Sequence, residues 1–122
     1  PTTLPEVWEL VPNVFGDERG AFVETYSHAK FADMGIPDVF VQDNHSWTRT
    51  QHTLRGLHYQ IKRPQAKLCR VVDGEVLDVA VDIRVGSPTF GKSASIVLSA
   101  GMTATVQINP GPKPKASAVA ER

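Results

Sequence analysis

The densest group of reactive side chains in this chain is the run Arg55-Gly56-Leu57-His58-Tyr59-Gln60, followed shortly by Lys67. Imidazole is the side chain best suited to taking and returning protons near neutral pH. A histidine alone in an apolar strand is more often a hydrogen-bonded core residue than a catalyst. His58 is not alone, because Arg55, Gln60 and Lys67 lie close by in sequence. A purely structural core has no use for so many polar groups, whereas clustered Arg and Lys suit a phosphate. A second cluster is Asp17-Glu18-Arg19-Gly20-Ala21-Phe22-Val23-Glu24, and a third is Gln42-Asp43-Asn44-His45-Ser46. Each also reads as a polar turn or loop, the second because Asn and Asp bond nearby backbone.

Metal binding is the rival use of histidine. The four here, His28, His45, His52 and His58, form no H-x-H or H-E-x-x-H pair. Metal-binding cupins place two histidines one residue apart on a strand, and the matching stretch Leu57-His58-Tyr59-Gln60 has one. A single strong ligand holds a transition metal poorly, so the expectation is metal-free chemistry. No G-x-x-x-x-G-K-[ST] phosphate loop is present.

These groups must be positioned by short strands. Gly20–Tyr26, Phe40–Asn44, Leu54–Gln60, Lys67–Val72, Glu75–Asp82 and Ser93–Leu98 read as strands, and Asp73-Gly74 as a hairpin turn. Glu75–Asp82 alternates with period two, placing Leu77, Val79 and Val81 on one face and Val76, Asp78, Ala80 and Asp82 on the other. The second face is expected to point its carboxylates at water or into a polar cavity, with water the favoured reading. Ser27–Met34 is the one helical segment, capped at Ser27 and stopped by Gly35 and Pro37. Many short strands with one short helix predict an all-β sandwich or barrel. Cys69 is expected in a strand of the core.

The 122 residues fit one domain, with 41% hydrophobic residues and a formal net charge of zero. Neutrality argues against a nucleic-acid partner, which calls for a basic patch. The one cysteine excludes an intrachain disulfide and suits a reducing cytoplasm. No apolar run approaches the roughly 20 residues that cross a bilayer, so no membrane role is expected. Residues 111–122, rich in Pro, Lys and Ala, read as a flexible tail.

Taken in order, the three clusters, Lys67-Leu68, Gly74–Arg84 and Gly86-Ser87-Pro88-Thr89-Phe90-Gly91-Lys92 resemble the dTDP-4-dehydrorhamnose 3,5-epimerase family over roughly residues 6 to 100. The resemblance implies a cupin-type jelly-roll that forms homodimers and inverts C3 and C5 of dTDP-4-dehydro-6-deoxy-D-glucose. No cofactor is implied, since both carbons neighbour the C4 ketone and deprotonation gives an enolate. By the same resemblance His58 is the base and Lys67 stabilises the enolate, making these two the catalytic residues. Arg19, Glu24, Gln42, Asn44 and Arg55 would hold the dTDP-sugar, with the arginines on the pyrophosphate. Arg55 and His58 differ in strand parity, so a bend is expected between them, at Gly56.

The match weakens after Ala100. Family members continue with a second histidine, a tyrosine proton donor and an aspartate that pairs with the catalytic histidine. Here Asn109-Pro110-Gly111-Pro112-Lys113-Pro114-Lys115 stands in the first of those places, and no tyrosine follows Tyr59. The expectation is a partial epimerase domain over 1–110, altered by a shifted reading frame near Gly101. The alternative reading is an inactive or single-site epimerase remnant that binds a dTDP-sugar without full turnover.

Overall fold

The computed structural model describes residues 1–101 and 104–107, the last four as backbone. The order is β1 (Val7–Leu10), β2 (Val14–Asp17), β3 (Gly20–Val23), α1 (His28–Asp33), β4 (Lys67–Arg70), β5 (Glu75–Val81), β6 (Ser93–Ser99) and β7 (Ala104–Gln107). All pairings are antiparallel, in a three-stranded sheet β1-β7-β4 and two hairpins, β2-β3 and β5-β6. The all-β expectation with one short helix therefore stands.

The three-stranded sheet has two differently used faces. Trp8 and Leu68 share a register row, as do Val7 and Lys67 on the opposite face. Trp8, Leu10 and Leu68 pack under α1 against the buried Phe31 and Ile36. Tyr26 closes this cluster, edge-on to Phe31 at 5.0 Å and to Phe40 at 5.5 Å. On the opposite face, Val7 joins Leu4, Ala94, Ala80 and Ile96 in a second cluster. The hairpin β5-β6 thus forms the second layer of a sandwich, since facing apolar surfaces need one another to leave water.

The helix is as short as its sequence allows. Phe31 N–H donates to the Ser27 carbonyl, although the Ser27 hydroxyl makes no capping bond. Gly35 ends it at φ +90°, a conformation that costs other residues and not glycine.

Three expectations are corrected. Asp73-Gly74 does not join a hairpin: β4 and β5 belong to different sheets, and the turn carries the chain from one layer to the other. Phe40–Asn44 and Leu54–Gln60 form no strand; every residue from 41 to 60 is exposed, without the ladder partners that β structure requires. In β5 the covered face is the one expected to meet water: Asp82 is 6% exposed, whereas Leu77 is 63% exposed. The covered face contains Ala80 opposite Ala94, small side chains that let the layers approach. Val106 and Gln107 lie in the middle strand of the larger sheet. The segment 111–122, read as a tail, lies outside the described residues.

Candidate active site

The hairpin β2-β3 places Arg19 at its tip, where Asp17 and Gly20 form the closing pair and Gly20 turns the chain at φ +138°. The Arg19 fork is filled from within its own turn. Nε donates to both Asp17 carboxylate oxygens at 3.2 Å, and Nη2 bonds Oδ2. The guanidinium holds the Asp17 carboxyl below the usual carboxylate range. Glu24 follows the hairpin and pairs with Lys30 of α1 at 2.7 Å.

Gln42 and Asn44 meet directly, Nε2 donating to Oδ1 at 3.1 Å. Arg55 reaches back over its own loop, Nε and Nη2 each donating to the Thr48 hydroxyl at 3.2 Å. Between Arg55 and His58 the chain bends at Gly56, at φ +111°, within a segment that forms no strand. The bend brings His58 close: a Cβ at Gly56 would stand 3.3 Å from the His58 amide nitrogen and 3.6 Å from Nδ1. Lys67 opens β4 and donates from Nζ to the Gln65 side chain.

Among the described residues, no hydrogen bond or ion pair joins these groups to one another beyond Gln42–Asn44. His58 and Arg55 stand on one exposed segment, Arg19 on a hairpin tip, and Lys67 on the inter-layer face of the larger sheet. A cleft lined by Thr2, Thr3, Glu9, Ser93 and Ser95 holds none of them. No group of three or more His, Cys, Asp and Glu side chains suited to a metal ion occurs among the described residues.

Two polar features lie on the carboxylate-bearing side of the Glu75–Asp82 alternation. Asp82 accepts from Arg84 Nε at 2.9 Å and Nη2 at 2.8 Å, and from the hydroxyls of Ser87 and Thr89, while Arg84 Nη1 reaches Glu6 at 2.7 Å. This network pins the 82–92 connection and the N-terminal segment onto β5. Its role is structural, and Arg84 holds the Asp82 carboxyl far below its ordinary value. The other feature is Asp78, partly buried on the covered face of β5, with Oδ2 shielded from solvent and no hydrogen-bond partner. The sequence signal for both was the polar side of the β5 alternation, which the more apolar opposite side concealed.

The antiparallel two-layer arrangement with one short helix among the described residues is of the cupin type, shared with solved sugar-nucleotide epimerases. The chain belongs to the dTDP-4-dehydrorhamnose 3,5-epimerase family, whose model matches residues 1–113. A Pseudomonas aeruginosa dTDP-4-dehydrorhamnose 3,5-epimerase is 53% identical over 98 residues, covering 80% of this chain and 54% of that protein. A Legionella pneumophila dTDP-6-deoxy-D-glucose-3,5-epimerase, solved with dTDP-4-keto-L-rhamnose, matches at TM-score 0.76 and 42% identity, covering 88% of this chain and 62% of that one. A Bacillus anthracis dTDP-4-dehydrorhamnose 3,5-epimerase, solved with TDP and pyrophosphate, matches at TM-score 0.79 and 35% identity, covering 88% and 68%. The chain spans about half the length of most of the curated relatives it matches, and 30% of one from Neisseria gonorrhoeae.

Proposed function

We propose that this chain supplies the proton-abstracting part of a dTDP-4-dehydrorhamnose 3,5-epimerase. Its substrate is dTDP-4-dehydro-6-deoxy-D-glucose and its product dTDP-4-dehydro-L-rhamnose. The observation that carries this reading is the family match over residues 1–113, a span that contains His58 and Lys67. His58 removes the proton at C3 or C5, each next to the C4 ketone. The electron pair delocalises onto the ketone oxygen, where Lys67 donates a hydrogen bond to the enolate. Such a donor is worth more as charge develops than in the ground state. Reprotonation from the opposite face inverts the carbon. Arg19 and Arg55 bind the pyrophosphate, for which Arg19 exchanges Asp17 for phosphate oxygens and Arg55 leaves Thr48. Glu24, Gln42 and Asn44 hold the rest of the nucleotide. No cofactor takes part.

A second reading is supported by His58 itself, which has no orienting carboxylate among the described residues. An unoriented imidazole binds substrate surroundings without efficient turnover, giving a dTDP-sugar binder. A homodimer accords with the exposed Leu77, Val79 and Val97 face of β5-β6, and the cytoplasm with the single free thiol.

The test is solvent deuterium incorporation at C3 and C5, followed by proton NMR. The epimerase reading expects label at both carbons, lost in His58→Ala. Label at one carbon makes it a single-site enzyme. No label from a folded chain that binds dTDP leaves the binding reading.

A further inference from the structure

We propose that Gln65 is a positioning residue of the same site: its side-chain amide takes one N–H of the Lys67 ammonium and so fixes where the remaining N–H groups point. The inference rests on the reading of Lys67 as the enolate-stabilising cation. Lys67 Nζ donates to Gln65 Oε1. The approach to β4 explains how the two side chains meet. Exposure alternates through this stretch, with Pro64, Ala66 and Leu68 half-buried and Gln65 and Lys67 exposed. The period-two pattern of the strand thus reaches back before its first residue and sets Gln65 and Lys67 on one side of the chain. Lys67 shares a register row with Val7, which clusters with Ala80 and Ala94 of the β5-β6 layer. Gln65 therefore stands just outside the larger sheet, on the side that faces that layer.

The chemistry of an amide suits the task. Only its oxygen can face an ammonium, so Gln65 presents Oε1 to Lys67 and not Nε2. A neutral acceptor takes one of three protons and leaves the positive charge whole for a developing enolate oxygen. A carboxylate in the same place would cancel part of that charge.

Lysine needs such a tether more than most residues. Its four-carbon stem has many rotamers, and ordering them during the reaction adds to the barrier. A bond made beforehand removes part of that cost. Gln65 and Lys67 are both exposed, and one hydrogen bond between exposed side chains contributes little to folding. Removing the Gln65 amide therefore separates positioning from stability, because turnover changes and the fold does not.

The test compares Gln65→Ala, Gln65→Glu, Lys67→Met and the Gln65→Ala/Lys67→Met double variant in the full chain. Deuterium incorporation into dTDP-4-dehydro-6-deoxyglucose is followed by proton NMR. In parallel, lysines are labelled with trace acetic anhydride and quantified by mass spectrometry, with exposed Lys92 as the internal standard. Gln65→Ala is expected to slow incorporation at saturating substrate by about threefold to tenfold, the effect of one hydrogen bond. The half-saturating concentration and the thermal midpoint should stay where they are. In the Lys67→Met background Gln65→Ala is expected to add nothing further, as for residues that act as a unit. Labelling of Lys67 relative to Lys92 rises in Gln65→Ala, where the ammonium loses its acceptor, and falls in Gln65→Glu, where the added negative charge holds the proton on the lysine. An equal slowing in the Lys67→Met background overturns the inference, as does a loss confined to half-saturation. If the unsubstituted chain incorporates no deuterium, the proposed function fails and the labelling ratio decides the inference: a rise in Gln65→Ala sustains it, and an unchanged ratio overturns it. Should Gln65→Ala fold poorly, Gln65→Glu decides in the same way, with a fall in the ratio sustaining the inference and no change overturning it.

Discussion

At the residue scale, the chain separates groups free to meet a ligand from groups already spent on the fold. Lys67 is exposed, whereas the Asp82 side chain is 2% exposed and fully engaged. Replacing Lys67 by Ala is expected to slow deuterium incorporation by about 10²–10³-fold, the effect of losing one oxyanion donor, without shifting the thermal midpoint. Asp82→Ala is expected to do the reverse, costing about 2–3 kcal/mol in denaturant unfolding as Arg84 loses its charged partner. The pH dependence follows in sign. The folded Asp82 carboxyl lies below its unfolded value, so the unfolded chain takes up a proton first as the solution is acidified. The stability Asp82 contributes is thus present above about pH 4 and drains away below it. Thermal melts from pH 7 down to pH 3 should show the loss, and Asp82→Asn should flatten it. His58, Lys67 and the arginines can be singled out because they cluster along the chain, and the roles given to them are proposals. The burial of Asp82 and Asp78 was not legible, since nothing local says which side of a strand another layer will cover.

At the element scale, β5 shows that limit. Alternation in Glu75–Asp82 divides the residues between two faces, yet the more apolar face is the exposed one. Leu98 and Ala94 on the partner strand are buried at 1% and 8%, while Val97 between them is 53% exposed. Leu98→Ala should therefore cost about 2–5 kcal/mol, in the range for buried large-to-small changes. Val97→Thr, on the open face, should fall within about 0.5 kcal/mol of the unsubstituted chain; urea unfolding measures both. The helix was legible in full because its start and stop signals are local. The strands expected at 40–44 and 54–60 were not realised, since strand formation depends on partners elsewhere in the chain.

At the scale of the whole molecule, among the described residues Leu4, Val7 and Ala94 form one buried cluster and Phe31 and Ile36 another, and large apolar residues such as Leu54, Val41 and Trp47 face water. Exposed apolar side chains in such number favour association. Sedimentation velocity across a concentration series should show reversible self-association, weakened by Leu77→Glu on the open face of β5; a monomer at every concentration would count against the homodimer proposal. Fold class and family were legible because motif order survives along the whole match. The arrangement of layers was not, because β4 and β5 are consecutive in sequence and yet belong to different sheets.

The bend at Gly56 also has a chirality. Its φ of +111° lies where an L side chain is disfavoured, and an L-type Cβ there would press on the His58 backbone. A D-amino acid has the mirrored preference. Replacing Gly56 by L-alanine should therefore displace the imidazole, whereas D-alanine, introduced by peptide ligation, should leave it in place. The placement of the proposed base thus depends on the one achiral amino acid in its neighbourhood, and two stereoisomers of a single methyl group are enough to tell its orientation from its chemistry.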